Sequence, residues 1–126
     1  MKIYTSYFAQ LRNFPSNLVG LSTAYWNPKW LQPGRDKNGA IWLDIPPFKP
    51  GENCDGLCYG KCVPKHPQDC AFLKEYRKQL DKLDFNFIIS KLKDLGERIA
   101  VAEHLPSVDF AFLVYETRAI FVVNEL

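Results

Sequence analysis

The stretch Val108-Asp-Phe-Ala-Phe-Leu-Val-Tyr115 decides the fold that this sequence predicts. It is a nearly continuous apolar run with the length of a single strand. Strands inside a parallel sheet carry such runs, because helices cover both of their faces. We therefore predict an α/β fold class with a mostly parallel sheet flanked by helices, a Rossmann-like three-layer arrangement.

Three further strands are predicted upstream of this run. Residues 2–8 are β-branched and aromatic, residues 18–25 form a second apolar segment, and residues 40–45 form a short third one. Residues 9–14 are predicted as a turn or a short helical piece. Residues 119–123 are predicted as a last strand or a terminal helix, packed on the core.

Two amphipathic helices are predicted between the third strand and the apolar run. The first begins at Asp69 and repeats apolar residues at steps of three and four, which places Cys70 in its first turn. The second has Asp84 as its N-cap and Gly96 as the C′ residue that ends it. Residues 98–107 have no pattern that favours helix over loop.

The length of the chain predicts one domain over residues 1–126. Such a chain can bury one core of its own but is too short for two. Its opening residues, Met1-Lys-Ile-Tyr-Thr-Ser-Tyr7, lack the apolar region of a secretory signal. No apolar run approaches the ~18 residues that a membrane span needs. We therefore expect a soluble, cytoplasmic protein.

All of the cysteines lie in Cys54-Asp-Gly-Leu-Cys58-Tyr-Gly-Lys-Cys62-Val-Pro-Lys-His66-Pro-Gln-Asp-Cys70. Interleaved glycines and prolines allow this segment to turn its thiolates onto one centre. Zn²⁺ binds such donors in tetrahedral sets of four. Residues 50–70 are therefore predicted to form a structural zinc knuckle, whose ligands are Cys54, Cys58, Cys62 and Cys70.

Other uses of these cysteines remain open. His66 lies four residues from the cysteines on either side of it and could replace one of them as a ligand. An iron-sulfur cluster is the rival cofactor, because clustered cysteines also hold such clusters. Two disulfides, or four unligated thiols, are the alternatives without a metal. A zinc ion on four thiolates would cancel the formal charge of +2, so nucleic-acid binding is possible but weakly supported.

A ligand-binding crevice is predicted where the strands end. In parallel sheets, ligands bind beyond the carboxyl ends of the strands. If the first strand and the apolar run are neighbours, their polar ends meet there, with an arginine close behind the first strand. The candidate ligand-binding residues are Ser6, Tyr7, Arg12, Tyr25, Tyr115 and Glu116.

Four short motifs together extend over most of the chain. They are Ile3-Tyr-Thr-Ser-Tyr-Phe8 followed by Leu11-Arg12, the segment Leu18–Trp30 with Ser22 and Pro28-Lys-Trp30, Lys82-Leu-Asp84, and Phe110-Ala-Phe-Leu-Val-Tyr-Glu116. In these motifs the chain resembles the domain-of-unknown-function 488 family. The resemblance implies an α/β sandwich without an established activity. Members usually continue with a Cys-His-Arg or Cys-Ser-Glu-Arg type segment, where this chain has Thr117–Leu126, and the difference suggests a divergent member that binds rather than reacts.

The expected function is that of a small zinc-binding protein with a nucleotide-like ligand or a protein partner at the crevice. The resemblance, the small size and the cysteine insertion suggest a phage or mobile-element accessory protein. One alternative is a nucleotide or nucleic-acid processing enzyme, in which Tyr7 lies in the site, Arg12 holds a phosphate and Glu116 is a general base or ribose ligand. Another is an inhibitor that acts on a host factor through its surface. The sequence contains no obvious catalytic set, so a binding protein is favoured over an enzyme.

Overall fold

The computed structural model describes residues 1–24, 27–32, 34–35, 39–54 and 70–114. Within them, four strands form one sheet, in which every neighbouring pair is parallel. The strands are β1 (Ile3–Tyr7), β2 (Leu18–Ser22), β3 (Trp42–Asp44) and β4 (Asp109–Val114), in the spatial order β1-β4-β2-β3. The predictions of an α/β fold, a parallel sheet and these four strands are confirmed. Residues 119–123 lie outside the described residues.

The apolar run that predicted the fold forms β4, which lies between β1 and β2. Phe110 is in register with Ile3 of β1 on one side and with Val19 of β2 on the other. Successive strand residues point to opposite faces of a sheet. Accordingly, Phe110 and Val114 belong to one hydrophobic cluster and Leu113 belongs to another. A strand buried on both faces needs apolar residues at nearly every position, which is the pattern of this run.

Two helices cover one face of the sheet: α1 (Ala71–Asp81) and α2 (Phe85–Ala102). The apolar stripe of α1 is buried against the sheet, and its residues are Phe72, Leu73, Tyr76 and Leu80. As predicted, Asp84 caps α2, and its side chain accepts a hydrogen bond from the backbone N–H of Phe87 at 3.1 Å. Neither of these described helices is long and apolar enough to span a membrane.

The prediction that Gly96 ends the second helix is wrong. The helix continues through it to Ala102, so Gly96 is an interior and buried residue. A Cβ atom at this position would lie 3.3 Å from Cε2 of Phe110. The missing side chain therefore allows α2 to approach β4 closely, and this packing outweighs the low helix propensity of glycine, about 1 kcal/mol.

A 3₁₀ helix, Phe8–Asn13, packs on the opposite face together with the chain that follows β2. It buries Phe8 and Leu11 against Leu113 of β4 and Trp42 of β3. The indole N–H of Trp42 donates to the carbonyl oxygen of Gln32, so its polar atom is satisfied. Among the described residues, regular helices cover one face of the sheet, and a 3₁₀ helix with irregular chain covers the other.

Gly20 is the tightest point of this second face, and its replacement with alanine is expected to lower the free energy of unfolding by about 1–3 kcal/mol. The added Cβ would lie 2.7 Å from Cδ1 of Leu113 and 3.1 Å from Cδ1 of Leu11, both of which are buried. Urea denaturation measures the loss. A second change, Leu113→Val, removes the nearest methyl group and should recover part of the loss in Gly20→Ala. A Gly20→Ala protein as stable as the wild type would contradict this packing.

Candidate functional site

Polar side chains come together at the carboxyl ends of β2 and β3. After β2 the chain packs on the face with the 3₁₀ helix, whereas after β3 it packs on the face with α1 and α2. Adjacent strands whose connections leave on opposite faces open a crevice, and ligands of α/β sheets bind at such points. Four polar residues meet here, and we call them the corner cluster: Ser22, Asn27, Asp44 and Lys49.

Lys49 is at the centre of the corner cluster, and all of its donors are in use. Its Nζ lies 2.8 Å from Oδ1 of Asp44. It also donates to the carbonyl oxygen of Ala24 at 2.7 Å and to Oγ of Ser22 at 3.3 Å. An ammonium group has three N–H donors, and these three acceptors satisfy them. Lys49 thus ties the end of β2 to the end of β3.

Asp44 is the most exposed charged member of the corner cluster, with 48% of its side chain accessible, against 20% for Lys49. The Nδ2 of Asn27 donates to its Oδ1 at 3.0 Å, and the hydroxyl of Ser22 donates to Oδ1 of Asn27. Burial alone would raise the pKa of Asp44, but the hydrogen bonds from Asn27 and Lys49 and the charge of Lys49 outweigh it. The net pKa is lowered, so Asp44 is a carboxylate at neutral pH.

A second, buried polar layer lies beneath the corner cluster. Thr23 donates from both its backbone N–H and its hydroxyl to the carbonyl oxygen of Leu113, at 3.0 and 2.9 Å. The hydroxyl of Tyr76, on α1, donates to the carbonyl oxygen of Phe48 at 2.5 Å. Burial and the adjacent Cys54 both raise the pKa of Tyr76, whereas a hydrogen bond with Thr23 lowers it. The net effect is a raised pKa. Tyr76 therefore remains a protonated donor.

The predicted crevice residues Ser6 and Tyr7 lie at the carboxyl end of β1. This is the same end of the sheet as the corner cluster, but β1 and β3 are the two opposite outer strands of the four. β1 and β4 are neighbours in register up to Tyr7 and Val114, as the crevice prediction required. Ser6 is half-buried, while Tyr7 and Arg12 are exposed. The Tyr7 hydroxyl accepts a hydrogen bond from the side-chain amide of Gln10 at 2.6 Å. The other predicted binding residues, Tyr25, Tyr115 and Glu116, lie outside the described residues.

Two of the four predicted metal ligands are described. Cys54 ends a short 3₁₀ helix, Glu52–Cys54, that packs against α1, and Cys70 is the N-cap residue of α1. Both are buried in the same hydrophobic cluster, and neither forms a disulfide. Cys58, Cys62 and His66 lie outside the described residues. Among the residues that the structure describes, no group of three or more possible ligands could hold a metal ion.

Sequence reasoning did not select Asn27, Asp44 or Lys49. Asp44 ends the third predicted strand, so applying the strand-end rule to every strand would have found it. Asn27 and Lys49 follow their strands by several residues, and only the path of the connecting chain brings them back to the edge. No local pattern in the sequence marks those two positions.

The described residues also form an open groove of about 500 Å³ beside β3 and α2. Its floor consists of apolar side chains, Ile41, Leu43, Leu95 and Ile99. An ion pair between Arg35 and Glu103 lies at its rim. The groove contains none of the residues of the corner cluster.

Comparison of the chain with protein-family models, with curated proteins and with solved structures finds no match in any of the three. The function of this chain therefore has to be inferred from its own residues.

Proposed function

We propose that this chain is a small zinc-binding α/β protein that binds a nucleotide-like ligand at the corner cluster, with the ribose hydroxyls on Asp44. The observation that carries the proposal is the state of the Asp44 carboxylate, which is ionised, half exposed and fixed in place by Asn27 and Lys49. A Rossmann-like, three-layer arrangement with a zinc knuckle beside the crevice is part of this proposal.

The chemistry of Asp44 favours a ligand with hydroxyl groups. An ionised carboxylate is an acceptor only, and both of its partners among the described residues donate to Oδ1. Within the part of the chain that the structure describes, Oδ2 has no hydrogen-bond partner, so this oxygen can accept from a ligand. Because the three donors of Lys49 are already satisfied, its ammonium group is not free to bind a phosphate, which the carboxylate of Asp44 would also repel. Neighbouring hydroxyls, such as those of a ribose, fit this surface.

The phosphate of the ligand is assigned to the other end of the sheet edge, where Arg12 is exposed. β1 and β3 are the outer strands of the four, so three strand spacings of about 4.8 Å, or about 14 Å in total, separate them. A guanidinium group binds phosphate oxygens with two parallel hydrogen bonds. An α-phosphate lies closer to the ribose hydroxyls than this separation, so the proposed ligand is a nucleotide with a longer phosphate chain, whose outer phosphates would reach Arg12 while the ribose lies on Asp44.

The geometry favours binding over hydrolysis by Ser22. A serine nucleophile needs a base that takes its proton, and in a serine-lysine pair this base is a neutral lysine. Nζ of Lys49 instead donates to Oγ of Ser22, whose hydroxyl donates to Asn27. Ser22 is also fully buried. The two residues therefore act as a support for Asp44.

The zinc part of the proposal is supported by the two described cysteines. Cys54 and Cys70 border residues 55–69 on either side, and both are buried in one cluster beside α1. The two ends of the cysteine segment are thus held on the same part of the core. Cys70 is also the N-cap residue of α1, so the start of that helix fixes its backbone.

Thermal shift with a nucleotide panel tests the ligand, and Asp44→Asn is the decisive variant. A compound that stabilises the wild type should bind this variant about 10-fold to 100-fold more weakly, because a hydrogen bond to a charged group contributes about 1.5–3 kcal/mol. Asp94→Asn, which makes the same change on the exposed face of α2, is the matched control and should bind normally. Equal affinity in the Asp44→Asn protein would contradict the proposed site.

The panel should include ribonucleotides, their 2′,3′-dideoxy forms and the corresponding nucleosides. Loss of both hydroxyls should weaken binding to the wild type as much as Asp44→Asn does. Arg12→Met should weaken the binding of nucleotides but leave the binding of nucleosides unchanged. A panel in which no compound stabilises the wild type would reject the nucleotide-like ligand and leave a protein partner as the expected function.

A further inference from the structure

Gln79 of α1 uses its whole side-chain amide to hold the segment that carries Lys49. Its Nε2 donates to the carbonyl oxygen of Lys49 at 2.5 Å, with a longer contact to that of Pro47 at 3.5 Å. Its Oε1 accepts from the backbone N–H of Gly51 at 2.8 Å. One side chain thus satisfies backbone donors and acceptors on both sides of Lys49.

Tyr76 adds a fourth contact from the same helix. It precedes Gln79 by three residues, a spacing that puts two side chains on the same face of a helix. Its hydroxyl donates to the carbonyl oxygen of Phe48, the residue before Lys49. Lys49 directly follows a short 3₁₀ helix, Pro46–Phe48, in which its backbone N–H donates to the carbonyl oxygen of Pro46 at 3.0 Å. The contacts with α1 attach this locally bonded segment to the helix. Tyr76 is fully buried, whereas Gln79 is half-buried and can be replaced with less disturbance of the core.

We infer that Gln79 is a positioning residue for the ligand site: by fixing the backbone of Lys49, it sets where Nζ meets Asp44 and so orients the carboxylate that receives the ligand. The identity of the ligand in this inference rests on the proposed function, whereas the contacts of Gln79 with the Lys49 segment do not depend on it. It links a helix on one face of the sheet to the crevice at the sheet edge. All of the hydrogen bonds of Gln79 within the described residues are to backbone atoms, so its effect on the corner cluster passes through the backbone of Lys49.

Two variants of Gln79 separate positioning from general stability. Gln79→Leu removes all of its hydrogen bonds at similar size, whereas Gln79→Glu keeps the acceptor for Gly51 but loses the donor to Lys49. Lys78→Gln, on the exposed side of α1, is the control. Amide hydrogen exchange at Gly51 should become faster in Gln79→Leu and remain slow in Gln79→Glu and in the control.

A purely structural role of Gln79 would not change the pKa of Asp44. This pKa can be measured by a pH titration in which NMR monitors the carboxyl carbon of Asp44. Lys49 is the charged group that faces this carboxylate among the described residues, and it holds the pKa down together with Asn27. When Lys49 is displaced, the pKa of Asp44 should rise in both Gln79 variants and stay unchanged in Lys78→Gln. Ligand affinity should fall by about tenfold, the effect of one hydrogen bond to a charged group.

The outcomes distinguish this inference from the proposed function. Faster exchange at Gly51 with an unchanged Asp44 titration would show that Gln79 only stabilises the segment, and the inference would be overturned. If no nucleotide binds the wild type but Asp44 titrates at a higher pH in both variants, the positioning role stands and the proposed ligand is wrong. If affinity and titration change together, both are supported.

Discussion

Replacement of Phe110 with alanine is expected to lower the free energy of unfolding by about 3–5 kcal/mol, which would leave a domain of this size close to unfolded. Phe110 is fully buried in the central strand, in register with both β1 and β2. It also fills the space that Gly96 leaves under α2. The cavity would therefore open between the sheet and its helical face. Urea denaturation followed by circular dichroism measures the change.

Phe87→Ala is the matched control, because it deletes the same side chain from the exposed surface of α2. Phe87 is 59% exposed and lies under the ammonium group of Lys91. Its loss should cost about 1 kcal/mol or less, the size of an exposed cation–π contact. If the two variants lose the same stability, Phe110 is not the central packing residue that this fold requires.

Removal of the proposed zinc ion with a chelator is expected to lower the free energy of unfolding by ~3 kcal/mol or more. For a domain of this length, that loss corresponds to a fall of about 10 °C or more in the melting temperature. Structural zinc sites contribute directly to folding, because their ligands come together only in the folded chain. Elemental analysis of anaerobically purified protein should find about one zinc per chain, and the solution should be colourless.

Single substitutions assign the ligands of this metal. Cys58→Ser should lose the zinc and melt at the temperature of the chelated wild type. His66→Asn should retain the metal if four thiolates bind it, and should lose it if His66 replaces one of them. If the analysis finds iron and sulfide with a brown absorption band instead, the cysteines bind an iron-sulfur cluster, and a redox enzyme becomes the leading function. A metal-free wild type with an unchanged melting temperature would reject the metal site.

The fold was predictable because buried segments have characteristic patterns of apolar residues in the sequence. The apolar run around Phe110 is typical of a strand covered on both faces, and Asp84 marks the start of its helix by a local hydrogen bond. Gly96 misled the prediction, since glycine at a helix end and glycine at a close helix-sheet contact look alike in sequence. The difference depends on Phe110, which is distant in the chain and close only in space.

The candidate site was less predictable, because its residues come together through tertiary structure. The strand-end rule gave Ser6 and Tyr7 at the end of β1, with Arg12 in the turn that follows, and β1 does lie beside β4 as that prediction assumed. The network around Asp44 instead depends on how two connections turn after β2 and β3. Lys49 is one of many lysines in the sequence, and only its contacts distinguish it.

The central position of β4 also governs the order in which the protein can fold during synthesis. β2 and β3 can pair as soon as both have left the ribosome, but β1 finds its partner only when residues 109–114 have been made. Until then, the nascent chain exposes the edges of β1 and β2 that will later pair with β4, together with the apolar surfaces that will pack against β4. Such long-range parallel pairing folds slowly and leaves unpaired edges open to aggregation. Fragments that stop before residue 109 should therefore depend on chaperones rather than form a smaller version of the domain.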